Sequence, residues 1–370
     1  MPSELRILII GPRLDVFGGV SGFYNSILPS LKATDNTSVK YHGVGEKPGF
    51  IGRYKIVSSL YDLLIFVRLL ISYRPHLIHF NPSLSPFALI RDASLIIIAK
   101  FISKARVLVF FRGWNKKNES FVEKYFKFFN KSLLKADHYI TLSEHSKNIL
   151  IHWGVNEQAI DLGKTVIDEG IFSYLEKNSA DRENYYLNQK LNVIILSRLV
   201  KEKGVYELLN AFSLVVKKHP DWTLTIAGDG PELNGLKSMA NELDIANNIF
   251  FLGYVSGEDK YKALTQANVF CLPSYSEGMP NSVLEALAVG HTVVATPVGA
   301  LENFCVSGWV IPVKCKCVES IAAALLNEEL LSQLAFTSNK NRNFAKNNFR
   351  VEHVVSDLSN IYKKIIRRKV

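Results

Sequence analysis

Residues 276–290 read Ser276-Glu277-Gly278-Met279-Pro280-Asn281-Ser282-Val283-Leu284-Glu285-Ala286-Leu287-Ala288-Val289-Gly290. Two carboxylates stand eight positions apart, with a Gly-Met-Pro-Asn turn between them and a short apolar helix after it. Asn281 is expected as the N-cap, Ser282 to Val289 as the helix and Gly290 as its C-terminal stop. Glu277 then lies in a loop facing the helix N-terminus, and Glu285 lies about one turn inside. The amides of a first helical turn form a positive, donor-rich patch suited to phosphate or sugar hydroxyls. Carboxylates beside such a patch suit a neutral polyol attached to a phosphate, which describes a nucleotide sugar. Taken alone, the stretch reads more simply as a capped surface helix with two solvated glutamates.

Upstream, Val193 to Leu196 reads as a short apolar strand, followed by Ser197-Arg198-Leu199-Val200-Lys201-Glu202-Lys203-Gly204 and a helix around Leu208 to Val216. Cations beyond the C-terminal end of a parallel strand stand where open α/β sheets bind ligands. Arg198 offers a bidentate fork to phosphate oxygens and Lys203 a point charge; an ordinary basic loop has the same composition. Thr223 to Ala227, Ile249 to Tyr254 and Ala267 to Pro273 supply further strands, the first ending in Gly228-Asp229-Gly230-Pro231. In the first half, Leu5 to Ile10, Leu77 to Phe80 and Val107 to Phe111 read the same way. Strands alternate with helical segments throughout, which predicts an α/β protein with parallel sheets covered by helices. A chain of 370 residues with 48% hydrophobic content is large enough for two cores.

Ser197-Arg198-Leu199 with Lys203-Gly204, Ala227-Gly228-Asp229-Gly230-Pro231, Phe251-Leu252-Gly253, and Glu277-Gly278-Met279-Pro280-Asn281 through Glu285-Ala286 share an order and spacing with one family. Residues 190 to 300 resemble the donor-binding half of the retaining glycosyltransferases of family 4, the glycosyl transferases group 1. The resemblance implies the GT-B fold: two Rossmann-like doubly wound domains facing a central cleft. It implies an acceptor-binding domain over residues 1–165 and a nucleotide-sugar domain over 189–348. The polar, irregular stretch 166–188 is expected as the linker and hinge, and residues 349–370 as a basic amphipathic helix packing back on the first domain. By the same resemblance Arg198 and Lys203 hold the donor diphosphate, Glu285 takes the ribose hydroxyls and Glu277 contacts the transferred sugar. Gly228 joins the donor site, as do Gly278, Met279, Pro280, Asn281, Ser282 and Val283 through their backbone amides.

In the first half, Phe17-Gly18-Gly19-Val20-Ser21-Gly22 precedes a helix. The resemblance puts Gly18 and Gly19 against the donor phosphate and the acceptor, while a plain glycine turn is the alternative. The spacing from Gly11 is not that of a dinucleotide fingerprint. Val107 to Phe111 ends in Arg112-Gly113-Trp114. Many relatives carry His at the position of Arg112. A fixed cation is unfavourable beside an oxocarbenium-like centre unless an anion compensates it. Arg112 is therefore expected on the diphosphate or on an anionic acceptor, with a surface carboxylate as the competing partner. Asn81 and Trp114 are the candidates for the acceptor side. His79, next to Asn81, reads either way, as a lining residue or as a core histidine.

Charge is distributed unevenly. Residues 1–165 hold 22 Lys/Arg against 12 Asp/Glu, whereas residues 166–370 hold 22 of each. The net charge of +10 therefore belongs to the first half, and Lys363, Lys364, Arg367, Arg368 and Lys369 add a basic cluster at the end. An anionic membrane surface fits this asymmetry. The segment Ile56 to Ile71 is apolar, but Asp62 and Arg68 would each cost about 2.5–3.5 kcal/mol at a bilayer centre, which favours a buried or interfacial helix. No signal peptide is evident. The basic residues lack the interleaved aromatics of a nucleic-acid-binding motif, so no nucleic-acid partner is expected. No Asp-x-Asp occurs anywhere, so no metal site and no cofactor beyond the nucleotide-sugar co-substrate are expected. Cys271, Cys305, Cys315 and Cys317 suit a reduced, cytoplasmic chain rather than a zinc site.

The combined expectation is a peripheral enzyme on the cytoplasmic face of a bacterial inner membrane. It moves a hexose-type sugar from a UDP- or GDP-linked donor to a glycan acceptor, lipid-linked, in surface polysaccharide (lipopolysaccharide O-antigen, capsule or exopolysaccharide) assembly. Its catalytic set is Glu277, Arg198, Lys203 and Arg112. The competing expectations are a nucleotide-sugar 2-epimerase on a related two-lobe fold and a non-catalytic basic binding protein.

Overall fold

Ile7 to Gly11 are buried without a break, the pattern of a strand with helices on both faces rather than one with a solvated side. The computed structural model describes residues 4–16, 18–45, 53–82, 85–114, 118–178, 191–332 and 334–367. They divide into two units, one of residues 1–166 with 351–370 and one of residues 167–350.

Unit 1 is a six-stranded parallel sheet: β1 (Leu5–Gly11), β2 (Thr37–Gly43), β3 (Leu77–Phe80), β4 (Arg106–Phe111), β5 (His138–Thr141) and β6 (Ile160–Leu162), in the order β2-β1-β3-β4-β5-β6. The helices between them are α1 (Gly19–Lys32), α2 (Arg53–Tyr73), α3 (Pro86–Ile102), α4 (Glu119–Lys124), α5 (Phe126–Asn130) and α6 (Glu144–His152). The order reverses at β1, and right-handed crossovers on its two sides must then cover opposite faces. α1 covers one face, while α2 and α3 lie together on the other, packed on each other.

Unit 2 begins with α7 (Glu169–Lys177) and holds β7 (Asn192–Leu196), α8 (Val205–Lys218), β8 (Thr223–Ala227), α9 (Leu233–Glu242), β9 (Ile249–Gly253), α10 (Gly257–Thr265), β10 (Val269–Leu272), α11 (Asn281–Val289), β11 (Thr292–Ala295), α12 (Leu301–Val306), β12 (Ile311–Pro312), α13 (Val318–Leu325), α14 (Glu328–Ser332) and α15 (Leu334–Phe349). Its parallel sheet runs β12-β11-β10-β7-β8-β9, the doubly wound order, and the direction of winding changes between β7 and β10. The buried core gathers Val193 to Ile195, Val269 to Leu272 and nearly all of α11. Val283 to Val289 are covered on every side, which suits an apolar run broken only by Glu285.

Within residues 166–188, expected as a linker, Glu169–Lys177 form a helix, α7. Asp168 caps α7 by accepting from the Gly170 amide at 3.1 Å, and Ile167, Ile171 and Phe172 are buried in the unit 2 core. The polar residues that suggest a linker occupy the solvent face of an amphipathic helix. Residues 179–188, the rest of the expected linker, lie outside the described residues.

The chain returns to unit 1 as α16 (Val351–Arg367), which packs on α1. Val354, Val355, Leu358, Tyr362 and Ile365 are its buried face. Tyr362 Oη lies 2.7 Å from His79 Nδ1, so His79 is a fully buried core histidine. Burial, and then the charge of Arg112, push its pKa down to about 3. The basic cluster is not wholly a free patch. Lys364 Nζ lies 2.9 Å from both carboxylate oxygens of Asp161 at the end of β6, while Arg368 and Lys369 lie outside the described residues.

Asp161 is thereby a clamp between β6 and α16. It also sits 2.7 Å from His138 Nε2, and the hydrogen bonds from His138 and Lys364 pull its pKa down from 3.8 to about 2. A carboxylate depressed on folding stabilises in full above its unfolded value and loses that contribution as pH falls through its folded value. Asp161→Asn is expected to cost about 2 kcal/mol near neutral pH. The two melting curves should converge as pH approaches 2; unfolding curves recorded across pH 2–7 check this.

Candidate active site

The site is built where winding reverses in unit 2, at the C-terminal ends of β7 and β10. Arg198 and Lys203 follow β7, and Glu277 follows β10. The β7 loop closes in a 3-10 turn, Lys201–Lys203, ended by Gly204 in the left-handed region, φ 68°. α8 and α11 start directly beyond the two loops, so both helix N-termini face the reversal. Adjacent parallel strands bring together residues separated by more than 70 positions, because their C-terminal ends lie side by side.

Two buried carboxylates each receive a lysine. Lys203 Nζ donates to Glu277 Oε1 at 2.6 Å, and the Glu277 side chain is nearly buried. Lys260 Nζ, on α10, donates to Glu285 Oε1 at 2.7 Å and to Asp168 Oδ2 at 3.2 Å. Tyr261 Oη completes the arrangement by donating to Asp168 Oδ2 at 2.7 Å. Burial opposes the charge of Lys260, but Glu285 and Asp168 outweigh it, and its pKa is raised. Arg198 is exposed and makes no ion pair among the described residues, which leaves its guanidinium open to an anion.

The loops are held by close backbone approach. Gly228 has φ 144°, and a Cβ there would meet Ser197 O at 1.8 Å. The β8 loop therefore lies on the β7 loop, with the Leu199 amide donating to Asp229 O at 2.9 Å. Gly299, φ 60°, lets its chain touch the backbone of Glu277, where a Cβ would meet the carbonyl oxygen at 2.1 Å. Ala300 N then donates to Gly278 O at 2.8 Å. Gly228 is in this way a packing requirement of the site.

Two expectations about α11 need correction. Pro280 is the N-cap, and Asn281 is already the first helical residue, with no side-chain cap; proline suits this boundary because its φ is preset and it lacks an amide hydrogen to satisfy. The Val283 amide turns back onto Pro280 O at 3.1 Å, so it is committed within the helix. Gly290, φ 94°, ends the helix as expected. The spacing of the sequence does not reveal Lys260 or Asp168, which join Glu285 from a different helix and from the segment read as a linker. Ser197 Oγ and Ser274 Oγ, at the ends of β7 and β10, are buried without a partner among the described residues. No group of metal-ligating side chains is found among those residues either.

In unit 1, Gly18 and Gly19 are exposed at the start of α1, and a Cβ on Gly19 would meet nothing within 4 Å. Neither needs to be glycine for local packing. Asn81 does not fit its expected role on the acceptor side: it is buried, its Oδ1 accepts from Tyr24 Oη at 2.8 Å and its Nδ2 donates to Ile10 O at 3.0 Å. Trp114 stacks on Trp153 and donates from Nε1 to Glu119 at 2.8 Å, leaving only part of its ring exposed.

Arg112 has no carboxylate partner among the described residues. Its guanidinium carbon lies 3.4 Å from the Phe23 ring centroid, and Nη2 donates to Thr165 Oγ1 at 2.8 Å. Nε and Nη1 are buried without partners, and burial pushes its pKa down to about 10. Among the described residues, then, Thr165 and the Phe23 ring take the place of a surface carboxylate.

Residues 178–348 match the family model described as Glycosyl transferases group 1. An uncharacterized glycosyltransferase of Methanocaldococcus jannaschii is 26% identical over 253 residues, 66% of this chain and 60% of that protein. An alpha-monoglucosyldiacylglycerol synthase of Streptococcus pneumoniae is 32% identical over 150 residues, 38% of this chain and 34% of that protein. The chain thus spans less than two thirds of the length of either relative. The crystal structure of Anabaena Alr3699/HepE in complex with UDP superposes with a TM-score of 0.70 at 16% identity, covering 97% of this chain and all of that one.

Lys260→Ala would leave Glu285 buried and uncompensated, which costs roughly 3 kcal/mol, whereas removing both partners should recover most of it. Urea unfolding of Lys260→Ala, Glu285→Ala and the double variant checks this; additive losses would mean the pair is not coupled. On the geometry and the match together, residues 178–348 are similar to a glycosyl transferases group 1 domain, and the fold is that of the GT-B glycosyltransferases.

Proposed function

We propose that the chain is a retaining, metal-independent glycosyltransferase using a nucleotide-diphosphate sugar. The observation that carries this reading is the Lys203–Glu277 pair, drawn between the loops after β7 and β10 where winding reverses, with Arg198 exposed on the first of those loops and Glu285 buried in the helix that follows the second. The neighbour solved with UDP supports a nucleotide donor.

In this reading the open Arg198 and the Lys203 ammonium take the diphosphate. Negative charge grows on that leaving group as the sugar becomes oxocarbenium-like, and fixed cations in a partly dry site lower the barrier without reorganising. Helix N-termini of α8 and α11 add to the same field. Glu277, held by Lys203, is aimed at the transferred hexose, and Glu285, fixed by Lys260, takes the ribose hydroxyls. Ser197 and Ser274 have hydroxyls to give to phosphate or sugar oxygens. Protein cations do here what a divalent ion does in transferases with an Asp-x-Asp pair.

The acceptor reading rests on Arg112 and on charge. A cation with two buried nitrogen atoms unpaired among the described residues suits a phosphate or carboxylate on the acceptor. The excess of cations in unit 1 suits an anionic membrane surface, with a lipid-linked glycan of surface polysaccharide assembly as acceptor. A relative named for a glycosylated diacylglycerol points the same way.

A thermal-shift screen in EDTA with UDP-, GDP-, dTDP- and CMP-linked sugars tests the donor. Stabilisation by one nucleotide class, absent in Arg198→Ala and reduced in Glu285→Ala, is expected. No shift with any of them favours the non-catalytic reading, and turnover of a nucleotide sugar with no acceptor present favours the 2-epimerase. Arg112→Met should lower kcat/KM for the acceptor by about 10–100-fold, the worth of a charged hydrogen bond, with the donor shift intact; unchanged kinetics would remove Arg112 from the mechanism.

A further inference from the structure

α2 and α3 have ordinary inward faces. Phe66, Leu70 and Tyr73 on α2, and Leu89, Ala93 and Ile96 on α3, are buried against the unit 1 sheet. Their outward faces are not polar. Leu60, Leu64 and Ile71 recur at helical spacing on α2, as do Phe87, Ile97 and Phe101 on α3, and all six are exposed. Phe87 and Phe101 are each 91% exposed and Leu64 is 68% exposed. Helices lying side by side with apolar side chains on both faces leave one continuous apolar surface in water, which marks a docking site.

Charge identifies the occupant. Between residues 60 and 106 the only carboxylates are Asp62 and Asp92, and both face inward. Asp62 Oδ2 accepts from the Gly45 amide at 3.2 Å, and Asp92 is fully buried against Arg91 at 2.8 Å. The cations point out: Arg68 is exposed on α2, and Arg74 and Lys104 are exposed where α2 and α3 end. Those two ends line a single surface depression with Arg106 and with Ile366 of α16. Apolar side chains flanked by cations, with no exposed acid among them, match the acyl boundary and the anionic headgroups of a bilayer. A second copy of the same face would bring like charge against like charge.

We infer that the outward face of α2 and α3 seats unit 1 on an anionic lipid bilayer, with Phe87, Phe101 and Leu64 inserted at the acyl boundary and Arg68, Arg74 and Lys104 at the headgroups. The attachment lies on the membrane, since no helix among the described residues is long and apolar enough to cross one. The inference deepens the proposed function by naming the surface that brings unit 1 to a lipid-linked acceptor, but docking requires neither donor nor catalysis.

Flotation of the full chain with phosphatidylglycerol/phosphatidylcholine vesicles, without nucleotide sugar, tests it. The wild type should float with these vesicles and far less with phosphatidylcholine alone. Phe87→Ser/Phe101→Ser should lower the partition coefficient by about 10-fold or more, and Arg74→Glu/Lys104→Glu should weaken binding in a salt-dependent way. All four positions are exposed, so both variants should keep the wild-type melting temperature. A wild type that stays with the sediment overturns the inference, as does an aromatic variant that floats equally well. So does a dimer seen by light scattering that the aromatic variant abolishes while vesicles capture neither protein. Flotation with no donor shift would overturn the enzyme reading and leave the docking surface standing.

Discussion

The arrangement of unit 2 turns on two carboxylates that cannot be left alone. Glu277 and Glu285 are nearly removed from water at the end of a parallel sheet, where an uncompensated charge is strongly destabilising. Lys203 and Lys260 compensate them from two different elements. Each pairing fixes more than a side chain. The first ties the loop after β7 to the loop after β10, and the second ties α10 and the start of α7 to α11. The glycine contacts at Gly228 and Gly299 then become necessary, because loops drawn this close leave no volume for a Cβ.

The same constraint prepares a site. Once Lys203 and Lys260 are paired with carboxylates, Arg198 is a cation left open on the loop after β7, a loop that leads into α8, and Ser197 and Ser274 at the ends of β7 and β10 keep hydroxyls without a partner among the described residues. An anion arriving there meets donors already in position, so little reorganisation is required of the protein. Unit 1 holds a comparable imbalance in Arg112, whose guanidinium packs against Phe23 and, among the described residues, is hydrogen-bonded through Thr165. Structures rarely retain an unpaired buried cation for stability alone, and its place at the end of β4 is where doubly wound sheets meet ligands.

Unit 1 is otherwise organised around anchoring. α16 is secured by Asp161 and Tyr362 on one face of the sheet, while α2 and α3 present apolar side chains from the other. The basic excess of the first half has two parts in consequence. Some cations, such as Arg91 and Arg106, are spent on carboxylates of the same unit. Others, such as Arg68, Arg74 and Lys104, face solvent next to exposed Phe and Leu, which a count of charges along the chain does not separate.

The alternation of apolar strands with amphipathic segments was sufficient for the α/β class. The run from Ser197 to Glu285 was sufficient to put Arg198, Lys203 and Glu277 at one end of the unit 2 sheet, because loop residues directly after buried strands must emerge at one edge of a parallel sheet. Local chemistry likewise determined Gly290 as a helix stop. Whatever depends on neighbours distant in the chain was decided by the tertiary structure: Lys260 and Asp168 at Glu285, Thr165 at Arg112, the internal commitment of Asn81, and the inclusion of α7 in the unit 2 core. Periodicity reports which face of an element is apolar, but not which other element covers it. Hence the pattern of α2 and α3 identified apolar helices, and only the packed structure left their outer faces bare.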